Sequence, residues 1–596
     1  MHRRRVCCLV LPAALAVPLV LAAPAAARPA PAAATPAAGA APARAGAAPG
    51  GPTLSTGDRL GLRRFVVAGT RAYELGTEDG RYPVMGFHTR GEMGGVWSPP
   101  IKLLDGLWFG LDGRWLGPAT RFTRGYGYTR MELPDAAGVR ISRTDVVPDG
   151  RRALLVGLTL SSATARTARL TLDAHSELMS VYPWGETTPS QLTANLPDTA
   201  AVSAGRLVFR DRGTPPGGLP AHHWAAVVAA APGSPLRLVV GSDTGRDFRG
   251  PQEGGPICPA SGPGAPPAPD TCKDTAYGKG AGGQLRYELR LPAGRAVTVW
   301  FVAAGSDRGL PAALAEAGGA AAPEAALAAK VAARQRLAGA TRLTLPGDPR
   351  LARSVEWSKQ DLADLLQEAR DLRIRETNAG KRYPPPVGTV PRVRFVGAGY
   401  PDYPWLFATD GEYTAFALVG LGQFDAAKDH LRALRDVSDV VNRRSGKIVH
   451  EVTTDGSVYF GANADPGNTD ESVKFPSAVA LVWRWTGDDR FRDEMYDSSR
   501  RALAYVTQNL DTDGDGWPEG SGNVEREGQG AEKLDNAVYL IRGLYDLAEM
   551  ADSRGDTATA VASRRRADDL LRHFEQTWWA GSVAPAYADS LRDPGD

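Results

Sequence analysis

Apolar residues in this chain recur at two different periods, and the change from one to the other limits what it can fold into. From about Thr53 to Gly305 the period is two. Leu285-Arg286-Tyr287-Glu288-Leu289-Arg290-Leu291 alternates strictly, and Pro292-Ala293-Gly294 turns the chain into a strand carrying Val297, Val299 and Phe301. Ala153 to Leu160 and Ala168 to Leu172 form a similar pair around a Ser/Thr/Ala turn. Alternate positions share one side of a strand, so this half predicts a large antiparallel β-sandwich. Beyond Asp348 the period lengthens to that of a helix. Asp348-Pro349 sets an N-cap before a Pro at the first helical position, and Leu351, Val355, Leu362, Leu365 and Leu366 supply the apolar stripe. Seven helices are predicted, at about 349–371, 411–421, 424–441, 474–486, 488–509, 534–552 and 556–577.

The segments outside these two regions are of a different kind. His2-Arg3-Arg4-Arg5, the apolar run Leu9 to Val20 and the small-residue site Ala25-Ala26-Ala27 predict a signal peptide over 1–27 and a secreted, extracellular protein. Arg28 to Pro52 is nearly all Ala, Pro and Gly, a tether too poor in bulky apolar groups to fold. The sandwich is assigned to 53–307, an Ala-rich linker helix to 308–347 and a helical catalytic domain to 348–596. Cys7 and Cys8 would leave with the signal. Cys258 and Cys272 remain in one Pro/Gly-rich stretch, where export makes a disulfide the expectation. With 69 basic against 67 acidic side chains, the chain carries no basic excess to meet nucleic acid, and no membrane association is expected after cleavage. Oligomeric state is left open.

Four loops between the predicted helices concentrate carboxylates and aromatic rings: Gly399–Tyr413, Asn468–Phe475, Asp511–Gly522 and Glu525–Asn536. Rings stack on pyranose faces and carboxylates accept from sugar hydroxyls. Paired carboxylates also supply the acid and base of glycoside hydrolysis. Asp511, Asp513 and Asp515 resemble the start of an EF-hand. The twelfth position, where a bidentate Glu is required, falls on Gly522, so a structural Ca²⁺ there is only weakly supported. No H-E-x-x-H, G-x-S-x-G, P-loop or dinucleotide fingerprint is present, and no organic cofactor is implied.

An exported sandwich, a linker helix and then helical hairpins together resemble the six-hairpin (α/α)6 glycoside hydrolases. These include glycogen-debranching amylo-α-1,6-glucosidases, mannosyl-oligosaccharide glucosidases, mannosylglycerate hydrolases and trehalases. Pro404-Trp405-Leu406-Phe407-Ala408-Thr409-Asp410-Gly411 resembles the debranching pattern P-W-F-x-x-D. Asp511 to Gly520 is similar to the D-G-D-G-hydrophobic-x-E loop ahead of the acid in several of these families, and Leu534-Asp535-Asn536-Ala537 falls where they place it. The resemblance implies Asp535 as general acid, with Glu519 as rival and Glu525 and Glu527 behind it. It implies Trp405, Phe407, Asp410, Asp470, Glu471, Trp517 and Lys533 as sugar contacts, although Trp405 and Phe407 also read as core and Asp470 as a helix cap. A helix N-terminus favours a carboxylate anion, against the needs of an acid, so burial or a neighbouring carboxylate would have to prevail at Asp535.

The implied activity is release of a terminal α-linked sugar, glucose foremost, from an oligo- or polysaccharide by inversion. Seven helices fall short of the twelve of a closed toroid, and the resembled inverting families place their base well downstream of the acid. The expectation is therefore an incomplete (α/α)6 domain lacking its base. Two alternatives stand beside it. One is a retaining enzyme with Asp410, Glu412 or Glu471 as nucleophile; the other is a secreted glycan-binding protein without catalysis.

Overall fold

The computed structural model describes residues 50–182, 194–239, 244–245, 279–465, 468–524 and 528–591. The signal, most of the tether, Cys258, Cys272, Glu525 and Glu527 lie outside the described residues. Two antiparallel sheets form the first half. One runs, in spatial order, through strands Thr53–Thr56, Arg121–Gly125, Tyr128–Ala136, Val139–Val146, Ala153–Ser162, Ala296–Ser306, His222–Ala230, Arg206–Gly213 and Thr199–Ser203. The other is centred on Gly282–Leu291, Arg166–Ser180 and Ile101–Leu111. Leu154, Val156, Leu158 and Leu160 of the first meet Leu170, Leu172, Leu285 and Leu289 of the second in a shared core.

The sandwich is as expected, but neither sequence pair is a hairpin. Ala153–Ser162 pairs with Val139–Val146 and Ala296–Ser306, whereas Arg166–Ser180 pairs with Ile101–Leu111 and Gly282–Leu291. Both short connections cross from sheet to sheet, and they lie side by side, Gly294 N–H donating to Ser162 O at 2.8 Å. Neither connection carries the Asn-Gly or Asp-Gly dipeptide that would fold a strand back beside itself.

The outer face of the first sheet is roofed by two helices, α1 (Leu310–Gly318) and α2 (Pro323–Ala340), where one linker helix was expected. Pro323 starts the second, and Ala313, Ala317, Leu327 and Val331 pack on Leu155, Val227, Trp300 and Val302. Burial on both faces explains why the 153–162 strand is apolar at almost every position.

Helix α3 (Pro349–Asp364) begins as read, with Asp348 Oδ1 accepting from Leu351 N–H at 2.9 Å, but it stops seven residues short of the expected end. Leu366–Glu376 is instead the first strand of a closed five-stranded barrel with Gly388–Gly399, Tyr403–Phe407, Glu451–Val452 and Ser457–Phe460. In that stretch Leu372 and Ile374 are buried while Asp371 and Arg373 are exposed, a period of two that the preceding Leu pair masks.

Three helical hairpins follow: α4 (Ala408–Gly420) with α5 (Phe424–Val441), α6 (Asp470–Thr486) with α7 (Asp489–Asn509), and α8 (Leu534–Arg554) with α9 (Thr557–Trp578). Helices α4, α6 and α8 pack in succession, each backed by its partner. Asp488 and Asp556 cap α7 and α9, accepting from Phe491 N–H and Thr559 N–H at 3.2 Å. No side chain caps α4, α6 or α8. Among the described residues no helix is long and apolar enough to cross a membrane.

Candidate active site

The uncapped starts of α6 and α8 bring the sequence-predicted carboxylates together. Asp470, in the first turn of α6, is buried; its Oδ2 accepts from Thr409 Oγ1 of α4 at 2.7 Å and from Lys474 Nζ at 3.2 Å. It is therefore not a helix cap. Lys474, also buried, reaches on to Asp535 Oδ2 at 3.3 Å, so one ammonium joins the first turns of two neighbouring helices. Asp535 is partly exposed and accepts a second bond from Asn523 N–H at 2.9 Å. The loop can curl this closely because residue 522 is glycine: a Cβ there would lie 2.8 Å from Asp535 Oδ1. Thr469 Oγ1 donates to Glu519 O at 2.6 Å and Asn536 Nδ2 to Ser521 O at 2.9 Å, pinning the same loop from both helices.

Burial then decides the protonation of the groups behind this front. Asp470 is raised to about 7, first by burial and next by the adjoining Glu471, with Lys474 and Thr409 offsetting only part. Glu471 is buried against His450 Nδ1, with which it forms a short contact. Burial opposes charge on His450, but the Glu471 carboxylate, with Asp470 and Glu451, more than reverses this and lifts it to about 9. Burial works against the Glu471 anion too, and His450 outweighs it, holding that carboxyl below its usual range. Glu412 of α4 is 3 % exposed, and neither oxygen has a hydrogen-bond partner among the described residues. Burial holds it well above the usual carboxylate range; Lys474 opposes, and Glu471, Asp470 and Asp410 add to the rise. Of the three candidate nucleophiles, only Asp410, in the first turn of α4, is exposed.

Several expected contacts are placed elsewhere. Trp405 is 1 % exposed, its Nε1–H donating to Glu451 Oε1 at 2.8 Å, and Phe407 is buried too. Trp517 is buried edge-on against Trp578 and Phe574 at the end of α9. Rings enclosed in protein offer no face to a pyranose, so all three are core. The rival acid Glu519 turns into its own loop and accepts from Thr512 N–H at 2.9 Å and from Thr512 Oγ1. These donors hold it below the usual range although burial acts the other way. Lys533 likewise turns back, donating to Gly530 O and Ala531 O. Asp511, Asp513 and Asp515 each bring one oxygen within 4.8 Å of the others, close enough to hold a cation. They also accept from the turn's own N–H groups of Gly516, Asp515 and Trp517, and Arg566 stands 3.6 Å from Asp511.

A run of ring contacts leads to His450, and its two exposed ends, Phe87 and Phe460, are residues that the sequence did not single out. Phe87, 59 % exposed, comes from a loop of the sandwich and sits edge-on to Tyr403, which meets Phe407; Phe407 meets His450, and His450 meets Phe460, 42 % exposed. The sandwich loop is tied in place by Asp402, whose Oδ1 accepts from Phe87 N–H at 2.7 Å and His88 N–H at 3.1 Å. A contact across 315 residues leaves no local signal at either end.

No family model and no curated protein matches the chain. Among solved structures, the chain is similar to a bacterial glucoamylase complexed with acarbose, at 11% identity and a TM-score of 0.50 over 91% of this chain and 72% of that one. It is also similar to a protein assigned as a kojibiose phosphorylase from the human microbiome, at 11% identity and TM-score 0.46 over 79% of this chain. A third is a GH92 α-mannosidase from Bacteroides thetaiotaomicron in complex with mannoimidazole, at 12% identity and TM-score 0.42 over 89% of this chain. The chain spans 60% of the length of the phosphorylase and 57% of that of the mannosidase. The likeness to the glucoamylase is one of fold: antiparallel sheets followed by paired helices.

Proposed function

We propose that this protein is a secreted glycosidase that releases a terminal α-linked sugar, glucose foremost, from an oligosaccharide by inversion. The observation that carries the proposal is the Lys474 bridge between Asp470 and Asp535 across the first turns of two neighbouring helices. The glucoamylase of like fold was solved with acarbose bound, which supports an oligosaccharide as ligand. In this arrangement the sugar ring lies over Asp410 and against Phe87 or Phe460. Asp535, the solvent-reachable end of the bridge, protonates the leaving oxygen once the substrate draws it off Lys474, whose ammonium otherwise favours the anion, while a second carboxylate activates water. Behind Asp535, burial raises both Asp470, to about 7, and Glu412 above their ordinary carboxylate range.

The test is sugar release from α-glucosides, maltooligosaccharides and trehalose, with and without inorganic phosphate, the product anomer being read by NMR. Asp535→Asn is expected to lower turnover by about 10²–10⁴-fold with the fold intact. Near-normal turnover would remove Asp535 from the role, dependence on phosphate would make the enzyme a phosphorylase, and a retained anomer would overturn inversion.

A further inference from the structure

A cleft of about 670 Å³ lies between the sandwich and the small barrel, away from the carboxylate cluster. Tyr182 and Trp224 come to it from the sandwich, Arg308 from the segment before α1, and Arg373, Arg375 and Tyr383 from the barrel. The hairpin spanning 451–460 divides the two places. Glu451 at its base faces Trp405 and neighbours the His450–Glu471 pair, whereas Thr454 and Asp455 at its tip line the cleft.

The charges of this cleft do not cancel. Its three carboxylates are already engaged. Asp307 pairs with Arg152 and Asp371 with Arg308, while Asp455 accepts from Thr453 Oγ1, Ser457 N–H, Ser457 Oγ and, at 2.9 Å, Tyr383 O–H. Arg370 is held by Glu368 at 2.7 Å. Arg375 is 5 % exposed, its buried Nε has no hydrogen-bond partner, and among the described residues no carboxylate pairs with it. The Tyr383 ring lies under it, 4.2 Å from the guanidinium carbon to the ring centroid. Arg373 is exposed and, among the described residues, has no carboxylate partner either. A buried guanidinium with an N–H left without an acceptor is costly, and such groups are normally satisfied by a partner. Its planar fork fits a carboxylate. The walls are aromatic: Tyr182 stacks on Tyr383 with centroids 5.8 Å apart, and Trp224 lies on His222 at 3.6 Å.

We propose that this cleft binds an acidic saccharide, its uronate carboxylate on Arg375 and Arg373 and its sugar rings against Trp224 and Tyr383. The volume lies within the range of small-ligand sites, roughly 300–1,000 Å³. The site is independent of the glycosidase reading, and Asp535→Asn is expected to leave it unchanged.

Calorimetric titration of the whole protein with a short oligoglucuronate, its carboxyl-reduced neutral counterpart and inorganic phosphate tests the proposal. The acidic sugar is expected to bind at least about tenfold more tightly than the neutral one, and Arg375→Gln and Arg373→Gln each to weaken it by about tenfold or more. Because Arg375 has no carboxylate partner among the described residues, Arg375→Gln is expected to keep Tm within a few degrees. Absence of binding, equal binding of the neutral sugar, equally tight competing phosphate, loss of binding in Asp535→Asn, or a sharp fall in Tm of Arg375→Gln would each overturn it. The exposed Arg373→Gln keeps the charge claim testable apart from folding.

Discussion

His450 and Glu471 show how burial sets the chemistry of single residues here. With a folded pKa of about 9 against an ordinary 6.5, the protonated imidazole is favoured by folding. That contribution to stability is whole below about pH 6.5 and is lost as pH rises through about 9. Asp470 and Glu74, both raised to about 7, lose their contributions in the same direction at lower pH, so the interval from 8 to 9 isolates His450 among these groups. Thermal unfolding followed from pH 6 to 10 is expected to show Tm falling more steeply across that interval in the parent protein than in His450→Gln. Equal slopes would mean that the pair carries no stability. Lys474 is the second case. Replacing this buried cation with Met leaves Asp470 and Asp535 without their shared donor, at an expected cost of about 3–5 kcal/mol in chemical denaturation. Most of that loss should be recovered by adding Asp470→Asn.

At the scale of elements, helix α4 is placed by a glycine that the sequence motif contains without explaining. A Cβ on Gly411 would lie 1.7 Å from His430 Nε2 of α5. His430 cannot move aside, because its Nδ1 accepts from Val396 N–H at 3.2 Å and its Nε2–H donates to Phe407 O at 3.1 Å. Burial keeps this ring neutral, its pKa lowered to about 4. Gly420, in the last turn of the same helix, has nothing within 4 Å of its added Cβ. Gly411→Ala is expected to lower stability by several times what Gly420→Ala changes it, the latter being neutral or about 0.5–1 kcal/mol stabilising. Denaturant midpoints of the two variants settle the comparison.

For the whole molecule, the sandwich and the helices are not separable in the way their composition implies. Tyr73, Leu75, Met85, Trp97, Met179 and Tyr182 of the sandwich belong to one continuous core with Leu372, Phe395, Trp405 and the helical hairpins. Polar ties add to it: Arg334 of α2 and Arg124 of the sandwich both hold Asp364 of α3, at 2.5 and 3.0 Å. A fragment of residues 348–591 alone would expose its half of that core. It is expected to bind an apolar dye and to lack the near-ultraviolet circular dichroism of packed aromatics, whereas 50–591 should show a cooperative transition; cooperative folding of the shorter fragment would refute the shared core.

The sequence by itself determined what depends on neighbours along the chain. Period-two and helical repeats located the sandwich and the helices, and Asp348, Asp488 and Asp556 started helices through bonds spanning three residues. Asp535 was a candidate through the resemblance of Leu534-Asp535-Asn536-Ala537 to the place of the acid in the six-hairpin families, and Asp470 through the carboxylates of its loop, although the apolar run after it also read as a capped helix. What they touch was not legible, since Thr409, Asp470 and Asp535 meet only where α4, α6 and α8 pack. The small barrel was missed for a related reason: its strands are two to twelve residues long and are interrupted by helices, so no local period reveals their pairing. Trp405 was ambiguous in sequence for the same cause, as an aromatic ring beside carboxylates suits a sugar platform and a core equally. Only the tertiary structure decided, by burying the ring against Glu451, and it also carried Phe87 across from the sandwich to Asp402 and Tyr403; burial and long-range contact depend on the packing of distant elements, which local sequence does not encode.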